Sequence, residues 1–390
     1  MVRLGDVLSR TGDSIDADPS REYSEITVRL WGKGVVERGR VSGGLVNGRR
    51  FVARTGNFIA SRIDARNGAM GLVPESLDGG LVTNDFPLFQ ANKERLDLGY
   101  VGWLSRTAGF VELCLRASEG TTNRVRLKED RFLALEIPLP PIAEQRRIVT
   151  RIERLATQIE EARRLRKEAV EEAGMLLVNH VGRVFSRFEA RHRLQEFGSF
   201  SPHVTSGPRN WSKHYESSGL RFYRAQDIGA QGHILNEAKV YITPPPGEQG
   251  RIALLHHGDL MMVITGATVG RVALYTVGFE PGFVSQHVAI CRLPKNEIEP
   301  EFALWGLRGP LGQAQLIGQR YGQGKPGLNL SNIRSLRLPF PSLPEQHRIV
   351  AELDALQAEV GALKTIQATT AAELDALLPA ILDRAFKGEL

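Results

Sequence analysis

The chain has 390 residues, 42% hydrophobic and 24% charged, with a formal net charge of +6 and an isoelectric point near 9.4. This is ordinary for a soluble globular protein and long enough for two domains at roughly 100–200 residues each, and the basic balance suits a nucleic-acid partner without requiring one. Two cysteines, Cys114 and Cys291, exclude a disulfide framework or a cysteine zinc site; no apolar run reaches the ~18 residues of a membrane span, and the charged start MVRLGDVLSR lacks a signal-peptide core, so the expectation is a cytoplasmic protein with no membrane contact.

Residues 1–143 read as a mixed α and β domain. RRFVARTGNFIASRIDARNGAMGLVPESLDGG (49–80) breaks short apolar runs with Gly, Asn and Asp, the pattern of strands and turns. DLGYVGWLSRTAGFVELCLRA (97–117) reads as short helices. The phrase PLPPIAEQRRIV (138–149) follows. Its prolines suit an elbow into a helix, with Pro141 where a missing N–H costs nothing and Glu144 in a first turn favoured by the helix dipole. Apolar residues then step through 148, 152, 155, 159, 162, 169, 173 and 176, a heptad seam. The spacing predicts a long helix in 144–192, of about 40 residues and ~60 Å.

Residues 193–343 repeat the pattern. RIALLHHGDLMMVITGATVGRVALYTVG (251–278) reads as strands and EPEFALWGLRGPLGQAQLIGQ (299–319) as short helices. The phrase returns as PFPSLPEQHRIV (339–350), and 344–390 carries a second seam at Ile349, Leu353, Leu356, Val360 and Leu363, with Pro379 as a potential kink.

The repeat extends beyond the phrase. At an offset of 202, Gly56-Asn57-Phe58-Ile59 falls on Gly258-Asp259-Leu260-Met261 and Gly68 on Gly270; at 201, Leu155 falls on Leu356 and Phe185 on Phe386. The protein is two copies of one unit of about 200 residues, far longer than a solenoid repeat. A duplicated unit with a pseudo-two-fold axis would pair its two helices antiparallel. Residues 144–193 hold 12 basic against 8 acidic side chains, and residues 345–390 hold 4 against 8, a balance that suits such pairing, though surface ion pairs add little. The alternative is that each helix docks on its own globule.

A globular half, a PxPxxxEQ elbow and a long helix, followed by the same again, resembles the specificity subunit of type I restriction–modification systems over essentially the whole chain. RFYRAQDI (221–228), GDLMMVITGATVGR (258–271) and LNLSNIRSLRLPFPSLPEQHRIVAELD (328–354) carry the resemblance. It implies an α/β (α+β) fold of two similar target-recognition domains, each followed by a long helix, with the helices paired as an antiparallel coiled-coil spacer. It also implies that the two domains read the two parts of a bipartite site on double-stranded DNA. The implied partners are two methyltransferase subunits, which endonuclease/translocase subunits can join. S-adenosylmethionine would be held by the methyltransferase, with no cofactor on this chain.

The residues themselves offer little covalent chemistry. No NPPF- or DPPY-type adenine-methyltransferase motif occurs, and GQRYGQGKPG (318–327) has Pro326 where a P-loop needs Ser or Thr. Asp227, Glu237 and Lys239 imitate a nuclease spacing, but LNEAKVYI reads more simply as the approach to a strand. His256-His257 lack a third ligand at metal spacing. A stand-alone methyltransferase or nuclease, and a purely structural scaffold, remain as competing readings. DNA readout needs amide, hydroxyl and cationic groups on loops. In the first copy these are Ser61, Arg62, Arg66, Asn67, Asn84 and Asp85, and in the second Thr265, Thr268, Arg271, Gln286 and His287. A further loop before each elbow adds Arg124, Tyr321 and Lys325.

Overall fold

The computed structural model describes residues 1–120, 125–201, 203–244, 252–322, 324 and 326–390. They fall into two compact units, Met1–Arg166 with Ala368–Leu390, and Lys167–Gln367.

In the first unit a four-stranded antiparallel sheet runs in the order Leu8–Thr11, Leu88–Ala91, Phe58–Ala60, Met70–Leu72. Helices Leu98–Leu104 and Ala108–Arg116 pack on it, capped by Asp97 and Thr107, whose side chains accept from the N–H groups of Tyr100 and Phe110. Phe58, Phe89, Phe110 and Phe132 meet ring to ring in the core between sheet and helices. A second sheet orders Ser14–Ile15, Arg50–Val52, Leu81–Val82, Glu22–Val28 and Val35–Ser42. Strand Val2–Arg3 pairs with Glu136–Ile137, beside the elbow.

The second unit has the same plan. Its antiparallel sheet runs His203–Ser206, Val288–Arg292, Leu260–Val263, Val272–Leu274, with helices Pro300–Arg308 and Pro310–Gly318, and Leu194–Glu196 pairs with Arg337–Pro339. The sequence repeat is therefore a repeat of topology. Gly68 and Gly270, matched in the sequence, both take φ in the left-handed region, 76° and 90°, before the returning strand of the hairpin. The copies differ in the second sheet, which here has four strands, Tyr215–Glu216, Tyr241–Ile242, Leu220–Tyr223 and Gly282–Val284.

The long helices span Ile142–Glu189 and Leu343–Phe386, and the second continues through Pro379. In the first unit Arg147 reaches the Leu390 carbonyl, Arg163 pairs with Asp375 at 2.6 Å and Arg166 bonds Thr370. As numbering rises along one helix it falls along the other, so the segments are antiparallel. In the second unit His180 meets Glu352 at 2.7 Å, and Val181, Val184, Phe185 and Phe188 share a core with Ile349 and Leu353.

The first seam departs from its predicted phase. Ile148, Ile152 and Ile159 are buried as expected, but Leu176 is 62% exposed, and Leu177 and Val181 turn inward instead. An α-helix drifts about 20° per heptad against a strict seven-residue repeat. Four heptads accumulate roughly 80°, close to the 100° between neighbouring residues, so the inward face slips by one position.

The repeated Glu-Gln has a structural role that helix-dipole reasoning does not reach. Gln145 is fully buried at the elbow; its Oε1 accepts from the Asp97 N–H at 2.9 Å, and its Nε2 donates to the carbonyls of Arg95 and Pro140, both at 2.8 Å. Gln346 repeats this with the Glu299 N–H at 2.9 Å and the carbonyls of Glu297 and Pro341 at 3.1 and 2.8 Å. One amide side chain thus ties the helix start to the short helix pair and to the proline turn.

Beside the second latch, burial and a hydrogen bond with Glu299 push the Glu301 carboxyl up to about 7. A carboxyl whose folded value lies above its unfolded one stabilises the fold while protonated, and loses that contribution as pH rises from about 4.5 to about 7. Glu301→Gln should therefore flatten the decline in stability across that window and raise stability at neutral pH. Denaturant midpoints at pH 5 and 7.5 check this; an unchanged pH slope would be the contrary result.

Cys114 and Cys291 are both free and buried, and burial pushes each thiol up to about 12. Among the described residues no helix is long and apolar enough to cross a membrane.

Candidate nucleic-acid interface

Three loops of each half converge on one backbone position. In the first half the Arg62 N–H donates to the Asp85 carbonyl at 2.8 Å, and the Arg62 carbonyl accepts from the Leu127 N–H at 2.7 Å. In the second, the Ile264 N–H donates to the His287 carbonyl at 2.9 Å, and the Ile264 carbonyl accepts from the Leu328 N–H at 2.8 Å. Arg62 and Ile264 are 202 residues apart, the offset of the sequence repeat. The hairpin loop, the loop after the next strand and the segment before the elbow therefore meet twice in the same way. Loops are where binding side chains concentrate on a rigid scaffold.

The expected contact residues divide by what their side chains already do. Ser61 is buried and its Oγ accepts from the Asp64 N–H at 3.1 Å, so it shapes the turn. The Arg62 guanidinium binds Glu129, which also pairs with Arg10 at 3.1 Å. Asp85 pairs with Arg126 at 2.5 Å. Asn67 donates to Asp64 at 3.3 Å. Asn84 is exposed, and the half-buried Arg66 side chain has no polar partner among the described residues.

In the second half Thr265 bridges to Gly327 through its backbone, and the Thr268 carbonyl accepts from the Arg271 N–H at 3.1 Å. Arg271 donates to the Ile228 carbonyl at 3.2 Å and, with Arg308 and Lys364, lines a cavity of about 440 Å³. Gln286 Nε2 lies 3.2 Å from His287 Nε2. Tyr321 is 56% exposed, pairs with Gly327 through both backbone groups, and lays its ring over that glycine, where a Cβ would stand 3.2 Å from Cζ. Arg124 and Lys325 lie outside the described residues.

The nuclease-like trio does not assemble: Asp227 is buried against Arg224 at 3.1 Å, while Lys239 pairs with Glu280 at 2.8 Å. Among the described residues no group of three His, Cys, Asp or Glu is placed to hold a metal ion.

One feature of the first half escapes a motif search. Trp31, at the turn between strands Glu22–Val28 and Val35–Ser42, is 71% exposed with φ 61°. Its N–H donates to the Asn67 carbonyl at 2.8 Å, and the Gly32 N–H donates to the Gly68 carbonyl at 3.1 Å. The segment LWGKG, a tryptophan among turn residues, was the available signal.

Comparison with known proteins agrees with this architecture. Residues 233–370 match the type I restriction modification DNA specificity domain. Over 307 residues, 71% of this chain, the sequence is 23% identical to the type I restriction enzyme EcoBI specificity subunit of Escherichia coli, and the match spans 63% of that relative's length. A chain in a solved structure on complex assembly and conformational transition of the type I R-M system superposes with a TM-score of 0.75 at 27% identity, over 100% of this chain and 97% of the other. The crystal structure of the HsdS subunit from Thermoanaerobacter tengcongensis gives 0.62 at 28%, over 100% and 96%. Duplicated topology, paired long helices and full-length structural likeness agree: the chain is similar along its whole length to type I restriction–modification specificity subunits.

Proposed function

We propose that the chain is a non-catalytic DNA-recognition subunit whose two domains, 1–143 and 193–343, each read one part of a bipartite duplex site. The segments 144–192 and 344–390 set the distance between the readers. Two methyltransferase subunits assemble on the chain and hold the S-adenosylmethionine, endonuclease/translocase subunits can join them, and the complex works in the cytoplasm. The observation that carries the reading is the loop junction built twice around Arg62 and Ile264 with different side chains on it. The same frame with different polar groups is what two readers of different short sequences require. In the first half Arg66 and Asn84 are the groups open to base edges; in the second Gln286 and Tyr321 are.

Replacing residues 1–143 with the equivalent domain of another family member should change one half of the methylated sequence and leave the other intact. Methylome sequencing of cells carrying the chimera reads both halves at once. A chimera in which both halves change together would refute independent readers.

A further inference from the structure

We propose that Trp31 is a base-stacking residue of the first reader, its indole wedging at a partly unstacked base step of the bound duplex. The inference rests on the DNA-recognition reading above and adds a contact outside the matched loops.

Exposure is the first argument. Trp211 and Trp305 are 4% and 3% exposed, whereas Trp31 leaves most of its ring in water, forgoing the burial that makes tryptophan favourable in a fold. The backbone is the second. Trp31 and Asn210 are the non-glycine residues at positive φ among those described. Asparagine tolerates that region, but a bulky aromatic does not adopt it without cost. Such an outlier persists only when its surroundings impose it, and here they do so through the two backbone bonds to Asn67 and Gly68. Gly68 is itself at φ 76°, and a Cβ there would come within 3.3 Å of the Trp31 Cα. The turn is thus clamped to the hairpin loop by main chain alone, and the indole projects free of the clamp.

Charge is the third. Arg29 and Lys33 flank the turn, are exposed, and have no side-chain partner among the described residues, and the half-buried Arg66 beside Asn67 likewise has no partner among them. The Arg106 side chain lies along Gly32, 3.3 Å from where its Cβ would be, with its guanidinium 4.6 Å from the Trp103 ring centroid. Cations around a projecting aromatic suit a nucleic-acid duplex: phosphates meet the cations while the indole wedges at a base step and stacks on the base face that partial unstacking exposes.

The test uses the chain assembled with its methyltransferase partner. Binding is measured to the cognate duplex and to duplexes scrambled in either half-site, for the wild type, Trp31→Phe, Trp31→Ala and Trp31→Gly. The expected result is about 10- to 100-fold weaker cognate binding for the alanine and glycine variants, near-wild-type binding for phenylalanine, and unchanged discrimination at the second half-site. Because glycine relieves the backbone strain, Trp31→Gly should also unfold at a higher denaturant concentration than the wild type while binding DNA less well. Wild-type affinity in Trp31→Ala, or a loss of methyltransferase assembly with DNA affinity intact, would overturn the proposal in favour of an idle or a protein-facing tryptophan. A wild-type complex indifferent to both scrambled duplexes would overturn the DNA-recognition reading itself, and this inference with it.

Discussion

Gln145→Leu should destabilise the first unit by about 3–5 kcal/mol, among the larger effects of any single substitution. Leucine fills the space but leaves the Asp97 N–H and the carbonyls of Arg95 and Pro140 without the side-chain partner that serves all three. Each buried polar group stranded in this way costs about 1–3 kcal/mol. Gln145→Glu should be no better at neutral pH: a carboxylate accepts from Asp97 but cannot donate to the two carbonyls, and it buries a charge. Gln346→Leu should produce the same loss in the second unit. Hydrogen exchange resolves the two, with protection falling in Leu98–Leu104 for one variant and Pro300–Arg308 for the other. A loss below about 1 kcal/mol in either would mean that the proline turn holds the elbow without the amide.

Lengthening both helices by one heptad should keep the two half-site sequences and widen the gap between them by about three base pairs. Seven residues add ~10.5 Å of helix, which matches three base pairs at ~3.4 Å each. The antiparallel contacts Arg147–Leu390 and Arg163–Asp375 fix where the insertions belong: after Ile159 in the first helix and, facing it, between Leu377 and Leu378 in the second. Placed there, each heptad preserves its seam. Three base pairs also turn the second half-site by about 100° around the duplex, at roughly 10.5 base pairs per turn, so affinity should fall even as sequence preference survives. Inserting four residues instead rotates the seam out of contact and should cost assembly altogether. Methylome sequencing gives the gap directly, and a lengthened pair that left it unchanged would show that these helices do not set the spacing.

Much of this architecture was legible in the sequence because it is written twice. The 202-residue offset placed the hairpin strands at Phe58–Ala60 and Leu260–Val263 in register before any coordinates did. The heptads found the long helices, but not the slip at Leu177, because helical drift accumulates below the resolution of a residue count. The Gln145 latch was visible only as a repeated letter. Its partners are backbone atoms, a proline carbonyl in both copies and two residues that differ, Arg95 and Asp97 in one and Glu297 and Glu299 in the other, so no pattern of polar side chains announces it. The sequence sets the loop residues out as a group, but it does not show which of their side chains are already paired within the fold. Whether Arg62 is open to a ligand depends on Glu129, 67 residues away, and nothing local in the sequence joins them. Trp31 was missed because its meaning lies in a φ angle and two backbone bonds.

The first unit is closed by the last residues of the chain. Leu382 and Ala385 are buried in its core, and Phe386 packs edge-on against Tyr100 at 5.1 Å. Residues 167–367 are contiguous, so the second unit has all its parts once the ribosome has passed them. The amino-terminal domain, synthesised first, must wait for Ala368–Leu390 before Ile148 and Ile152 are covered. Contacts so distant along the chain form slowly and leave apolar surface open meanwhile. A stop codon near position 367 would therefore damage the unit farthest from it in sequence, whose core draws on Leu382 and Ala385, and spare the contiguous one.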